Sequence, residues 1–148
     1  MPTDNKSIVR RMYEEVWNNR RLEVAGELIA PSHAVQLWDL ADSGIGPEAY
    51  ARNVTQLVWA FPDLKFTVMD MIAENDKVVV SWNISGTHKG EFCGVAPTGK
   101  KISIDGITIN HLANGKIIDS YVSWDMLVML QQLGAAPALG PPRKASAR

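Results

Sequence analysis

At Phe61-Pro62-Asp63 the hydrophobic period of this chain changes, and that change decides its fold class. Upstream, apolar residues recur three and four positions apart, as on one face of a helix; downstream they alternate, as in strands buried on one side. Val9, Met12, Tyr13, Val16 and Trp17 predict an amphipathic helix that starts behind Thr3 or Asp4 as cap and ends near Asn18-Asn19. Leu22, Ala25, Leu28 and Ile29 mark a second, short helix that Pro31 stops, because proline has no amide to donate. His33 to Trp38 reads as a short strand, and Asp39 to Gly46 as a loop of turn residues. Gly46-Pro47-Glu48 opens a third helix with Tyr50, Val54, Leu57, Val58 and Phe61 on its buried face.

After the switch, Leu64, Phe66, Val68 and Ile72 sample one side of a strand that turns at Glu74-Asn75-Asp76-Lys77. Val78 to Phe92 is long for one strand, and Gly86 and Gly90 suggest bends within it. Ile102 to Leu112 and Lys116 to Trp124 form a hairpin around Asn114-Gly115, and Asp125 caps a last helix that Gly134 ends. Helices first and antiparallel strands after predict an α+β fold, a strongly curved antiparallel sheet wrapped round the helices to leave a cone-shaped pocket. One domain spans residues 1–134, and residues 135–148 are an Ala/Pro-rich, basic tail.

The hairpin register decides which polar side chains share a face. A two-residue turn sets Thr108 opposite Tyr121, and a three-residue loop with Gly115 in the left-handed conformation sets it opposite Ser120. The second is preferred; it groups Gly106, Thr108 and Asn110 with Ile118, Ser120 and Val122, and leaves Asp105, His111, Asp119 and Tyr121 on the other face. In the alternative, His111 and Asp119 would line the pocket as an acid/base pair.

Charge is nearly balanced, with 15 basic and 16 acidic residues, and no basic run lies within the predicted fold, which argues against nucleic acid as a partner. The lone Cys93 cannot form an internal disulfide, has no neighbouring basic cluster to activate it, and belongs to no Cys/His set with zinc spacing, so no metal is expected. No signal peptide or membrane-length apolar run is seen, and a cytoplasmic protein without a membrane partner is expected.

Gly46-Pro47-Glu48, Phe61-Pro62-Asp63-Leu64, Gly86-Thr87-His88, Pro97-Thr98-Gly99, Gly115-Lys116-Ile117 and Gln131-Gln132-Leu133-Gly134, in this order and spacing, make the chain resemble the SnoaL-like polyketide (ester) cyclases. The resemblance implies the cystatin-like cone also used by ketosteroid isomerase and limonene epoxide hydrolase, a homodimer, and cofactor-free acid/base chemistry on an enolisable polyketide ester. It also implies where the family's catalytic groups fall. The catalytic aspartate of the polyketide cyclases corresponds to Val122 and their pocket histidine to Thr108, neither able to shuttle a proton. Their arginine before the long-strand tryptophan is Ser81, and their last-strand tryptophan is Tyr121.

Asp39, beside Trp38 in the first loop, is therefore the first candidate base, since a carboxylate against an aromatic in an apolar cavity has its pKa raised toward neutrality; the alternative is an aspartate stabilising a turn. His88 is the second, as acid/base or as a structural histidine in a Gly-bounded loop. Ser81, Thr108, Asn110 and Ser120 are small hydrogen-bonding groups that could orient a ligand or hold a developing oxyanion, with Val122 beside them. Of the five tryptophans, Trp38 and Trp124 are expected to touch a ligand, and the others to pack the core. The reading is a cofactor-independent enzyme acting on a hydrophobic small molecule; the alternative is a binding protein that keeps the cone without the chemistry. An epoxide hydrolase is disfavoured, because no arginine lies on the inner face of the last strands to complete an Asp-Arg-Asp site.

Overall fold

The computed structural model describes residues 4–37 and 44–137. Asp4 caps α1 (Asn5–Arg11), accepting the Ser7 amide hydrogen at 2.8 Å. The helix expected to run on unchanged to Asn18 becomes a π-helix over Met12–Asn18. Its wider turn brings Met12, Tyr13, Val16 and Trp17 all into the interior. A 3-10 turn (Leu22–Val24) and the one-turn α2 (Ala25–Leu28) follow, and the chain is already extended at Ile29. Pro31 therefore lies inside β1 (Ile29–Leu37) rather than stopping a helix; it is tolerated there because β1 is an edge strand, irregularly paired between Ile29 and Ala34. Pro47 at the first turn starts α3 (Gly46–Ala60) as expected.

β2 (Lys65–Glu74), β3 (Lys77–Thr87), β4 (Lys101–Ala113) and β5 (Lys116–Trp124) form an antiparallel meander, and α4 (Met126–Gln132) closes the described fold behind the Asp125 cap. The sheet order is β1-β5-β4-β3-β2. The α+β class stands, but the sheet is mixed: β1 joins β5 in parallel, with Leu37 opposite Val122.

Two bulges correct the sequence reading. In β2 the register steps between Val68 and Asp70, so Met71 turns inward and Ile72, expected on the buried side, is exposed. In the last hairpin Asn114 and Gly115 both have positive φ, 52° and 76°, and make a two-residue turn that pairs Ala113 with Lys116. A step between His111 and Leu112 then leaves Ile118 as the extra residue, and sets His111 opposite Asp119, Asn110 opposite Ser120 and Thr108 opposite Val122. Neither anticipated register is the observed one. The preferred register differs from it by two residues, which preserves every face except around the bulge, where Ile117 is fully buried.

The long strand ends at Thr87, not Phe92, because the chain there is captured by the end of α3. Asp63 accepts the Thr87 amide at 2.6 Å and its hydroxyl at 2.7 Å, while the amides of Lys89 and Gly90 donate to the Ala60 carbonyl at 2.8 and 3.0 Å. Phe61-Pro62-Asp63 and Gly86-Thr87-His88 are thus two halves of one corner. Asn18 ties the π-helix to the open edge of β2, accepting from the Phe66 amide at 2.8 Å and donating to its carbonyl at 2.9 Å. One core runs between the helices and the inner face of the sheet, from Ile8, Val9 and Val16 across Phe61 and Phe66 to Val80, Trp82 and Ile104.

Candidate functional site

Helix-spaced aromatics and the inward faces of β2 to β5 enclose a cavity of about 670 Å³, within the size range of sites for drug-sized ligands. The π-helix contributes Tyr13 and Trp17, α3 contributes Tyr50 and Leu57, β2 contributes Phe66, and β3 contributes Trp82. Thr108 comes from β4, and Ser120, Val122 and Trp124 from β5. Asn53, Gln56, Trp59, Glu91, Phe92 and Cys93 complete the lining toward solvent.

Glycine at position 106 sets the floor. A Cβ there would meet the Trp82 indole at 2.3 Å, so only glycine lets that ring lie against β4. So placed, the Trp82 Nε1–H donates to Thr108 Oγ1 at 2.9 Å, and the Thr108 hydroxyl also bonds Tyr13. Across the cavity the Trp17 Nε1–H donates to the Tyr50 hydroxyl oxygen at 2.6 Å. Burial raises the pKa of both tyrosines, opposed at Tyr13 by the Thr108 hydrogen bond, so both remain protonated hydrogen-bond donors across the ordinary pH range. Edge-on ring pairs, Phe66 with Trp82 at 5.0 Å and Phe92 with Trp124 at 6.2 Å, make the walls apolar.

Behind Ser120 lies a second layer. Ser120 donates to Asn110 Oδ1 at 2.8 Å, and His33 Nε2 stands 3.0 Å from the same hydroxyl. His33 is almost completely buried, edge-on to Tyr50, and burial pushes its pKa down to about 4 against the pull of Asp119. It is neutral at pH 7.

The structure brings only some of the candidate residues together. Thr108, Ser120, Val122 and Trp124 line the cavity together. Asn110 is fully buried one layer behind, its Nδ2 turned to the Val78 carbonyl at 3.4 Å. Ser81 lies on the opposite side of the sheet, beside a shallow depression with Asp105 and Ser123, because the inward residues of β3 are Val78, Val80, Trp82 and Ile84. His88 is buried outside the cavity lining: its Nδ1 accepts from the Thr98 amide at 3.2 Å, its ring packs on Phe61, and its Nε2 has no hydrogen-bond partner among the described residues. Trp38 and Asp39 lie outside the described residues. His111 and Asp119 do form a pair, at 2.6 Å, but on the outer face.

From the sequence, Tyr13, Trp17, Tyr50, Phe66 and Trp82 are expected in the core, and His33 only as the start of a strand. The signal was present in part: a buried Tyr or Trp carries a polar tip that needs a partner, and three of these five residues sit on helices facing one sheet. Among the described lining residues the only carboxylate is Glu91, on the exposed rim.

Comparison with known proteins agrees with this architecture. The family model for SnoaL-like polyketide cyclases matches residues 7–133. The chain is 30% identical over 110 residues to the aklanonic acid methyl ester cyclase AcmA of Streptomyces galilaeus, covering 74% of this chain and 76% of that protein. The structure superposes on that of a candidate SnoaL-like polyketide cyclase from Jannaschia sp. CCS1 with a TM-score of 0.81 at 27% identity, covering 90% and 93% of the two chains. IdmH of Streptomyces antibioticus, a candidate polyketide cyclase, gives 0.75 at 27% identity, covering 89% and 99%.

Proposed function

The chain belongs to the SnoaL-like polyketide cyclase family, and on that premise we propose that it draws a hydrophobic, polyketide-like small molecule into the aromatic cavity and acts on it by acid/base catalysis without a cofactor. The observation that carries this reading is the cavity itself: ring-lined, of ligand size, with the protonated hydroxyls of Tyr13 and Tyr50 in its wall. Tyr50 already accepts from Trp17, and its own hydrogen has no acceptor among the described residues. A donor so polarised in an apolar site stabilises a developing enolate oxygen, an effect worth a few kcal/mol in comparable sites. Asp39 is the proposed base; it follows β1 by two residues, and β1 ends with Leu37 opposite the cavity residue Val122. Its carboxylate would take a proton from a carbon next to a carbonyl, and the electron pair would pass to that carbonyl oxygen.

The test is deuterium exchange from heavy water into an aromatic polyketide methyl ester, followed by mass spectrometry across pH. Protein-dependent exchange that is lost in Asp39→Asn is the expected result. Exchange that survives this substitution removes Asp39 from the role, and no exchange despite quenching of tryptophan fluorescence by the same ester removes the chemistry.

A second reading, a binding protein without turnover, is favoured by Val122 and Thr108. Both line the cavity at the positions where the resemblance implies an aspartate and a histidine. It predicts saturable quenching and no pH-dependent turnover.

A further inference from the structure

The polar chain behind the cavity has a direction that can be worked out from its far end. A carbonyl only accepts, so the Asn110 group facing the Val78 carbonyl at 3.4 Å is Nδ2, and Oδ1 faces Ser120. Asn110 Oδ1 also only accepts, so the Ser120 hydroxyl gives it its single hydrogen, at 2.8 Å. With that hydrogen committed, Ser120 must receive the Nε2–H of His33 at 3.0 Å. Four strands supply this chain: β3 the carbonyl, β4 Asn110, β5 Ser120 and β1 His33. Burial keeps the imidazole neutral, with its proton on Nε2.

A serine hydroxyl has one hydrogen and two lone pairs. One lone pair is taken by His33, and the other has no donor among the described residues, although Ser120 stands in the cavity wall. We infer that Ser120 is the acceptor of a subsite for a ligand hydroxyl, a phenol or an enol, and that His33 is the positioning residue that keeps Ser120 an acceptor. The inference rests on the cavity being the binding site, but not on any reaction taking place there. A neutral hydroxyl gives Ser120 a hydrogen without the desolvation cost of an ammonium, for which the described lining offers no buried carboxylate, only Glu91 on the exposed rim. The subsite also divides the wall by polarity: Tyr50 gives a hydrogen and Ser120 takes one. The small polar groups expected to hold an oxyanion are thereby separated, because Ser120 has no hydrogen to spare for it and Asn110 is buried behind the cavity lining.

Isothermal titration calorimetry with β-naphthol and its methyl ether tests the subsite, as the ether replaces the donor hydrogen with a methyl group. The protein should bind the naphthol about five- to tenfold more tightly, the worth of one net hydrogen bond. Ser120→Ala should bring the ratio to about one, and Ser120→Thr, which keeps the hydroxyl, should retain it. A long-range proton–nitrogen correlation spectrum of the unaltered protein should find the His33 proton on Nε2, a result that does not depend on any variant folding. Equal affinity for the two compounds, a preference that survives Ser120→Ala, or a proton on Nδ1 would overturn the subsite while leaving the cavity reading intact. Binding of neither compound would remove both.

Discussion

Neutral His33 makes the fold sensitive to acid. Its pKa is about 4 in the folded protein against 6.5 for an unperturbed histidine. Between these values the unfolded chain binds a proton that the folded chain refuses, so stability is full above pH 6.5, falls as pH drops toward 4, and is level below. The loss from this residue is on the order of 3 kcal/mol. His33→Gln should flatten that part of a stability-against-pH curve measured by urea denaturation; an unchanged slope would assign the titration elsewhere. Ser120→Ala should cost about 2 kcal/mol at pH 7, because it strands the His33 donor and the Asn110 acceptor in the interior. In the sequence His33 was only the start of a strand. Its meaning comes from β1 lying parallel to β5, which brings His33 to Ser120, 87 residues away, a contact that local periodicity cannot encode. The alternation on β4 and β5, by contrast, put Thr108, Ser120 and Val122 on the inner face, because alternation is a local property.

Element boundaries were legible wherever a single residue type enforces them: Asp4 and Asp125 as caps, Pro47 at the start of α3, Gly134 with φ 77° after α4. They were not legible where a tertiary contact decides. The π-helix has no signature in the apolar spacing, and β3 stops at Thr87 because Asp63 holds it there. Gly90 looked like a bend in a strand, but it is the crossing point of a loop over α3, where a Cβ would meet the Trp59 carbonyl at 2.7 Å. The same logic applies to Gly106. Gly106→Ala should tilt Trp82 off β4, break its bond to Thr108, and destabilise the protein by about 1–3 kcal/mol, read from thermal unfolding and from the tryptophan emission of the folded state. Unaltered stability would mean that β4 can yield without moving the indole.

Among the described residues the inner face of the sheet is covered by helices and cavity, while the outer face presents Ile72, Ile107, Ile109 and Tyr121, all more than a third exposed. From this patch on β2, β4 and β5 we propose that two copies of the chain pair through it. Sedimentation equilibrium at micromolar concentration should give a dimer that Ile107→Lys converts to a monomer; a monomeric unaltered chain would refute the pairing. No helix among the described residues is long and apolar enough to cross a membrane.

The bulge at Ile118 also says how this lineage can change length. The turn at Asn114-Gly115 and the bulge lie on the same arm of the hairpin, so a residue inserted in the turn can be absorbed by one removed at the bulge, with every later pairing from Asp119 onward unchanged. Relatives with a longer turn and a straight last strand would then display the same inner face. Alignments that force a gap at only one of the two places would shift Ser120 and Val122 out of correspondence with the positions they occupy in space.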